Sequence, residues 1–159
     1  MNESQQPDCS TRSIFKWFKN REIEFMQDEN KFITKLPTKR YVNSDGENGI
    51  IIAIIVNHEE KELQFIAPQV AKYSTKQNLD LYKLLSLFNR IIAEYKFIRP
   101  YWDHEGRSIA ADMWLPIDEE GISDYILDRS IGAVVGFMDS YYSEIARVPS
   151  MSEHPPDVL

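Results

Sequence analysis

Residues 50–56 read Ile-Ile-Ile-Ala-Ile-Ile-Val, with no polar position among them. A half-exposed strand alternates apolar and polar side chains. An unbroken apolar run therefore predicts an interior strand, Ile50 to Val56, covered on both faces. The turn Asn57 to Lys61 and a second strand, Glu62 to Pro68, follow it. Helices can cover one face of such a sheet. The other needs a further layer, a second subunit or a bound partner.

The rest of the chain supplies the helices. A first one opens near Ser10, Thr11 or Ser13, each a fit N-cap, and ends near Asn20; Ile14, Phe15, Trp17 and Phe18 give it an aromatic side. Glu22 to Phe25 alternates as a short extended piece, and Gln27 to Asn30 reads as a turn. Phe32 to Leu36 reads as an edge strand, given Lys31, Lys35 and Pro37, and Val42 to Gly49 as a surface loop. Thr75 to Lys96 is the clearest helix, capped by Ser74 or Thr75. Leu81, Leu84, Leu85, Phe88, Ile91, Ile92 and Tyr95 recur along it in steps that form one apolar stripe.

A hairpin follows, Phe97 to Asp103 and Arg107 to Ile117 around His104-Glu105-Gly106. With a three-residue loop, Phe97 and Tyr101 face the core beside Met113 and Ile109, and Trp102 and Trp114 point the other way. A two-residue loop shifts that pairing. Ser123 caps a last helix running to about Arg147, with Leu127, Ile131, Val134, Val135, Met138, Tyr142 and Ile145 as its buried stripe.

The predicted order is α-β-β-β-α-β-β-α: an α+β fold with an antiparallel sheet of about five strands and three helices. It occupies one domain over residues 11–148, between polar or Pro-rich tails at 1–10 and 149–159.

Composition narrows the function classes. The chain has 159 residues, 43% of them apolar, and a formal charge of −7. The sequence pI is about 5.0. Nucleic acid and anionic membranes both call for a basic surface, so neither is expected as a partner. The compact basic groups Lys16-Lys19-Arg21 and Lys35-Lys39-Arg40 read as solvated charge. Cys9, the single cysteine, lies in a polar stretch and reads as an inert thiol on a loose tail. With no hydrophobic leader in Met1 to Ser10 and no run long enough for a bilayer, the expected location is the cytoplasm.

Candidate chemistry is sparse. Asp103, His104 and Glu105 on one turn and His58, Glu59 and Glu60 on another could hold a divalent metal only if the two turns met. Gly-x-Ser-x-Gly, Gly-x-Gly-x-x-Gly and phosphate-loop patterns are missing from the sequence, and no cofactor is expected. Gly132 and Gly136 form a Gly-x-x-x-Gly, read as close packing of the last helix on the sheet. Trp102 and Trp114 carry more weight. Either they form a partner-binding face with Tyr101 and Phe88, or they build a second small core with Trp17 and Phe18.

Several segments resemble a known family. Glu47-Asn48-Gly49 with Ile50 to Val56, Asn57-His58-Glu59-Glu60 and Leu63 to Pro68 look like the central hairpin of YbjN proteins. Leu84-Leu85-Ser86-Leu87-Phe88-Asn89 resembles the family's leucine-rich helix, and Asp139 to Ile145 its closing helix. The resemblance spans roughly Ser13 to Arg147. The chain departs from it in a longer Pro37 to Asn48 loop and in lacking a glycine before Phe97. It implies a fold like that of type III secretion chaperones, small acidic dimers that bind extended client segments; YbjN proteins are proposed regulators without known enzymatic activity. The expected function is thus a non-enzymatic protein-binding module acting as a homodimer. A small-ligand sensor with a pocket between helix and sheet is the alternative.

Overall fold

The structure is a computed structural model that describes residues 9–43, 46–73, 79–117, 121–145 and 147–148. The elements run α1 (Cys9–Asn20), β1 (Phe25–Asp28), β2 (Lys31–Leu36), β3 (Ile50–Asn57), β4 (Glu62–Lys72), α2 (Leu81–Glu94), β5 (Ile98–Asp103), β6 (Ser108–Pro116) and α3 (Asp124–Ile145). The strands form one antiparallel sheet in the order β1-β2-β3-β4-β6-β5.

The α+β class holds, with one strand more than the sequence pattern suggests. The extra strand is β1: the turn placed at Gln27 to Asn30 shrinks to Glu29-Asn30, and Gln27 and Asp28 pair with Phe32 and Lys31. Phe32 to Leu36 is consequently an interior strand rather than an edge. β1 occupies one edge and β5 the other. β4 also runs four residues past Pro68, because a bulge between Ala67 and Ala71 absorbs the proline, with Gln69 at φ 52°.

All three helices lie on one face of the sheet. Phe18 of α1 stacks on Phe25 and meets Phe32. Trp17 donates its indole N–H to Asp128 of α3 at 2.9 Å. Arg21 lies over the Trp17 ring and pairs with Asp124 and Asp128, so this cation ties α1 to α3 rather than standing free in solvent. Tyr95, at the end of α2, meets Phe137 and Tyr141 of α3. The space between helices and sheet is filled by fully buried side chains, Phe18, Phe32, Phe65 and Phe137 among them.

With the helices on one side, β3 is covered on one face only. Ile52 and Ile54 are fully buried beneath it, whereas Ile51 is 48% exposed above. The expectation of two covered faces is therefore corrected: neighbouring strands flank β3 on both sides, but no second layer from this chain's described residues lies over the outer face.

Local signals held to differing degrees. Ser123 caps α3, its Oγ accepting the Ile126 N–H at 3.3 Å. The α3 helix stops at Ile145 and also buries Phe137 and Tyr141, which the predicted stripe omits. The α2 helix starts at Leu81 with Asp80 as its N-cap; Ser74 and Thr75 lie outside the described residues. Its predicted stripe divides: Leu84 and Ile91 face the core together with Leu87, which the stripe omits, while Leu81, Leu85 and Ile92 face outward. The α1 helix opens at Cys9, so Cys9 and Ser10 belong to its first turn rather than to a tail. Gly132 does not pack closely on anything, and a methyl group at Gly136 would meet only the Tyr95 hydroxyl at 3.7 Å.

Candidate functional site

The β5–β6 turn decides where the sequence-predicted site residues go. It contains four residues, His104-Glu105-Gly106-Arg107, and the register pairs Trp102 with Ile109 and Ile98 with Met113. Met113 and Ile109 face the helices as expected. The added turn residue gives the places expected for Tyr101 and Phe97 to Trp102 and Ile98. Trp102 thus packs inward against Tyr73, with ring centroids 5.9 Å apart. Trp114 stays on the outer face, where its indole N–H meets Asp112 at 2.9 Å and Arg99 lies over its ring. Tyr101 shares that outer face, and Phe88 sits half-buried on α2. The four residues do not converge: the two tryptophans are on opposite faces of the sheet. Nor do the tryptophans join α1 in a second core, since Trp17 and Phe18 are buried beside α3 and β2.

The two acidic turns stand apart as well. β6 begins beside the 104–107 turn, and its other end, Pro116, pairs with Glu62 next to the 57–61 turn. Nine residues of strand separate them, about 27 Å. Asp103 serves its own turn, accepting the Gly106 N–H at 3.1 Å. Among the described residues no group of three His, Cys, Asp or Glu is placed to hold a metal ion.

One apolar surface lies around β1, where Met26 is 68% and Ile51 48% exposed. Register places Met26, Ile33, Ala53 and Ile66 in one row across the outer face. Ile51 and Ile55 flank Ala53 on the same side of β3. At the β1 edge this patch runs into a groove of about 890 Å³. Phe18, Ile23 and Phe25 line it from the helix side, and Met26, Ile33 and Ile51 from the outer face. Glu22, Glu24, Lys19 and Lys35 stand at its polar positions. Lys19 lies over the Phe15 and Phe25 rings, and Lys35 pairs with Glu47.

The two edges of the sheet differ in what they offer an incoming strand. β5 carries Pro100, which has no N–H, and the Ile98 N–H already donates to Tyr95 at 3.0 Å. β1 contains no proline, and β2 continues past it, since the pairing begins at Phe25 and Thr34 and leaves Lys35 and Leu36 without a β1 partner. The sequence pattern missed this site because it rests on a four-residue strand. The one available signal was the alternation of Glu22 to Phe25 just ahead of it.

The architecture is of the YbjN and type III secretion chaperone-like kind. Solved structures similar to it include YbjN from E. coli, a proposed transcription regulator, with a TM-score of 0.57 and 10% identity over 83% of this chain and 90% of that one. A chain of the ExsC–ExsE complex matches with a TM-score of 0.58 and 11% identity, covering 89% of this chain and 98% of the other. A chain of the HopA1–SchA chaperone–effector complex matches with a TM-score of 0.54 and 11% identity, covering 83% and 91%. At these identities the likeness is one of fold. No protein-family model matches the sequence, and no curated protein matches it.

Proposed function

We propose that this chain is a non-enzymatic, chaperone-like or regulatory protein-binding module that works in the cytoplasm as a homodimer. Its client is an extended segment of another protein. That segment lies along the free edge of β1 and sets alternate side chains into the apolar groove on one side and against the outer sheet face on the other.

The observation that carries this reading is the groove at the β1 edge, lined by apolar side chains on both sides of a strand whose outer edge pairs with no other strand among the described residues. The likeness of fold to chains of a chaperone–effector complex and of the ExsC–ExsE complex supports it. Filling of the helix–sheet interior by Phe18, Phe32, Phe65 and Phe137 favours a protein client over a small ligand held between the layers. Tyr101 and Trp114 extend the outer face beyond β4 and enter the proposal as contacts of a longer client; Trp102 and Phe88 do not.

Photo-crosslinking tests the reading. A benzophenone amino acid at Met26, which is 68% exposed, should form discrete protein adducts in the source cells. The same probe at Tyr125 on α3 should not, and Ile51→Glu should abolish the Met26 adducts. Equal adducts at both positions, or none at Met26, would sink the proposal. Thermal stabilisation by a small metabolite, unaffected by Ile51→Glu, would favour a sensor instead.

A further inference from the structure

The apolar groove at β1 has a charge pattern of its own. Residues 22–29 include four carboxylates, Glu22, Glu24, Asp28 and Glu29, and no cation. None of the four has an ion-pair partner among the described residues. The neighbouring cations do not take them up. Lys35 pairs with Glu47, and Lys19 lies over the Phe15 and Phe25 rings. Lys31 stands opposite Asp28 in the register and forms no ion pair with it.

The backbone fixes where these charges stand. The Ile23 N–H donates to the Phe18 carbonyl at 3.1 Å, and the Thr34 hydroxyl donates to the Glu24 carbonyl at 2.7 Å. The entry to β1 is thereby tied to α1 and β2. Alternation from there sets Glu24, Met26 and Asp28 toward the outer face, with Phe25 on the helix side of the groove. Glu24 and Asp28 are four residues apart, about 13 Å along extended chain, with Met26 midway. A strand arriving at this edge meets acid, apolar and acid in turn.

Charges on an edge strand ordinarily keep other strands away. Here they do so selectively. A second copy of β1 pairing antiparallel about Met26 would set Glu24 against Asp28 of that copy, like charge on like at both ends. A strand with cations at those two places meets attraction at both. Apolar burial in the groove is open to any hydrophobic segment, so the carboxylates are what discriminates among them.

We infer that the β1 edge selects a client segment with basic residues four positions apart around an apolar centre, which sits on Met26 while the two cations meet Glu24 and Asp28. This rests on the proposed reading that a client strand lies along β1, and it states the chemistry of that strand.

The experiment uses the full chain and three fluorescein-labelled peptides in fluorescence anisotropy at low salt. The first is Ser-Thr-Lys-Val-Val-Val-Lys-Thr-Ser. The second has glutamate at both lysine positions. The third, Ser-Thr-Lys-Lys-Val-Val-Val-Thr-Ser, keeps the composition but puts the cations on opposite sides of the strand. The first should bind at least about tenfold more tightly than the second, and more tightly than the third. Raising the salt to 0.5 M, roughly a fourfold-to-fivefold shorter screening length than at 0.02 M, should narrow the gap. Glu24→Lys combined with Asp28→Lys should reverse the order of the first two peptides, and Glu24→Gln with Asp28→Asn should level it. Both pairs of positions are exposed, so the fold should survive, as circular dichroism would show. Equal binding of all three peptides, each crosslinking to a benzophenone at Met26, would overturn the charge selection and leave the edge reading intact. Equal binding of the first and third would overturn the four-residue spacing. An unreversed order in the lysine variant would overturn the assignment to Glu24 and Asp28. No binding of the first peptide, while Met26 still collects adducts in the source cells, would overturn the basic client alone.

Discussion

Asp139 on α3 grips the backbone of Lys39 with both carboxylate oxygens, at distances of 3.0 and 2.9 Å. The same carboxylate accepts the N–H groups of Arg40 at 2.8 Å and Tyr41 at 3.1 Å. One side chain thus clasps the start of the β2–β3 connection to the last helix, which fixes where β3 enters the sheet. Partial desolvation works against ionisation, but the bonds from Arg40, Lys39 and Tyr41 hold the carboxyl below its ordinary range. Asp139→Ala should cost about 1–2 kcal/mol in chemical denaturation, a figure kept low by the site's solvent access. A carboxyl with a depressed folded pKa contributes stability above its unfolded value, near 4, and loses that contribution as pH falls through the folded value. The stability difference between parent and Asp139→Asn should accordingly be full at neutral pH and shrink below about pH 4. A difference that stays constant across that window would show that charge plays no part.

One-sided coverage of β3 makes adjacent isoleucines unequal. Ile54→Ala removes a fully buried side chain and should cost about 2–5 kcal/mol. Ile51→Ala trims a side chain on the open face and should cost less than about 1 kcal/mol. Urea melts of the two variants decide it; equal losses would mean that a second layer covers the outer face in solution.

The tryptophans should separate in the same way. Trp102→Ala removes the ring packed on Tyr73 and should destabilise by about 3 kcal/mol. Trp114→Phe should be nearly neutral for stability, while removing the indole N–H that meets Asp112. Acrylamide quenching of the remaining tryptophan fluorescence should fall more in Trp114→Phe than in Trp102→Phe, because Trp114 lies on the sheet face opposite the helices while Trp102 packs on Tyr73.

Tyr141 should report alkaline loosening of α2 from α3. Burial first, then its hydrogen bond to Glu94, push its phenol up to about 12. A phenol with a raised folded pKa contributes stability that is complete below its unfolded value, near 10, and is lost as pH rises through the folded value. Denaturant stability should therefore fall between about pH 10 and pH 12 in the parent, and that fall should be smaller in Tyr141→Phe. An identical fall in both would locate the alkaline transition elsewhere.

Much of this fold was legible in the sequence because the signals are local. The run Ile50 to Val56, the 3- and 4-residue steps of α2 and α3, and the Ser123 cap depend on neighbours within a turn or a strand, and each appears where the pattern puts it. Tertiary structure decided the rest. Which face of the sheet a tryptophan takes depends on the parity of a turn, and here Arg107 at φ 47°, a left-handed residue that is not glycine, supplies the extra position. Which apolar residues of α2 are core depends on where α3 and β5 lie, so the predicted stripe splits, with Leu84 and Ile91 inside, joined there by Leu87, and Leu81, Leu85 and Ile92 outside. The groove at β1 joins α1 to a four-residue strand and to Ile51, more than thirty residues on from α1. No local pattern could bring those three together, because their meeting is set by strand order.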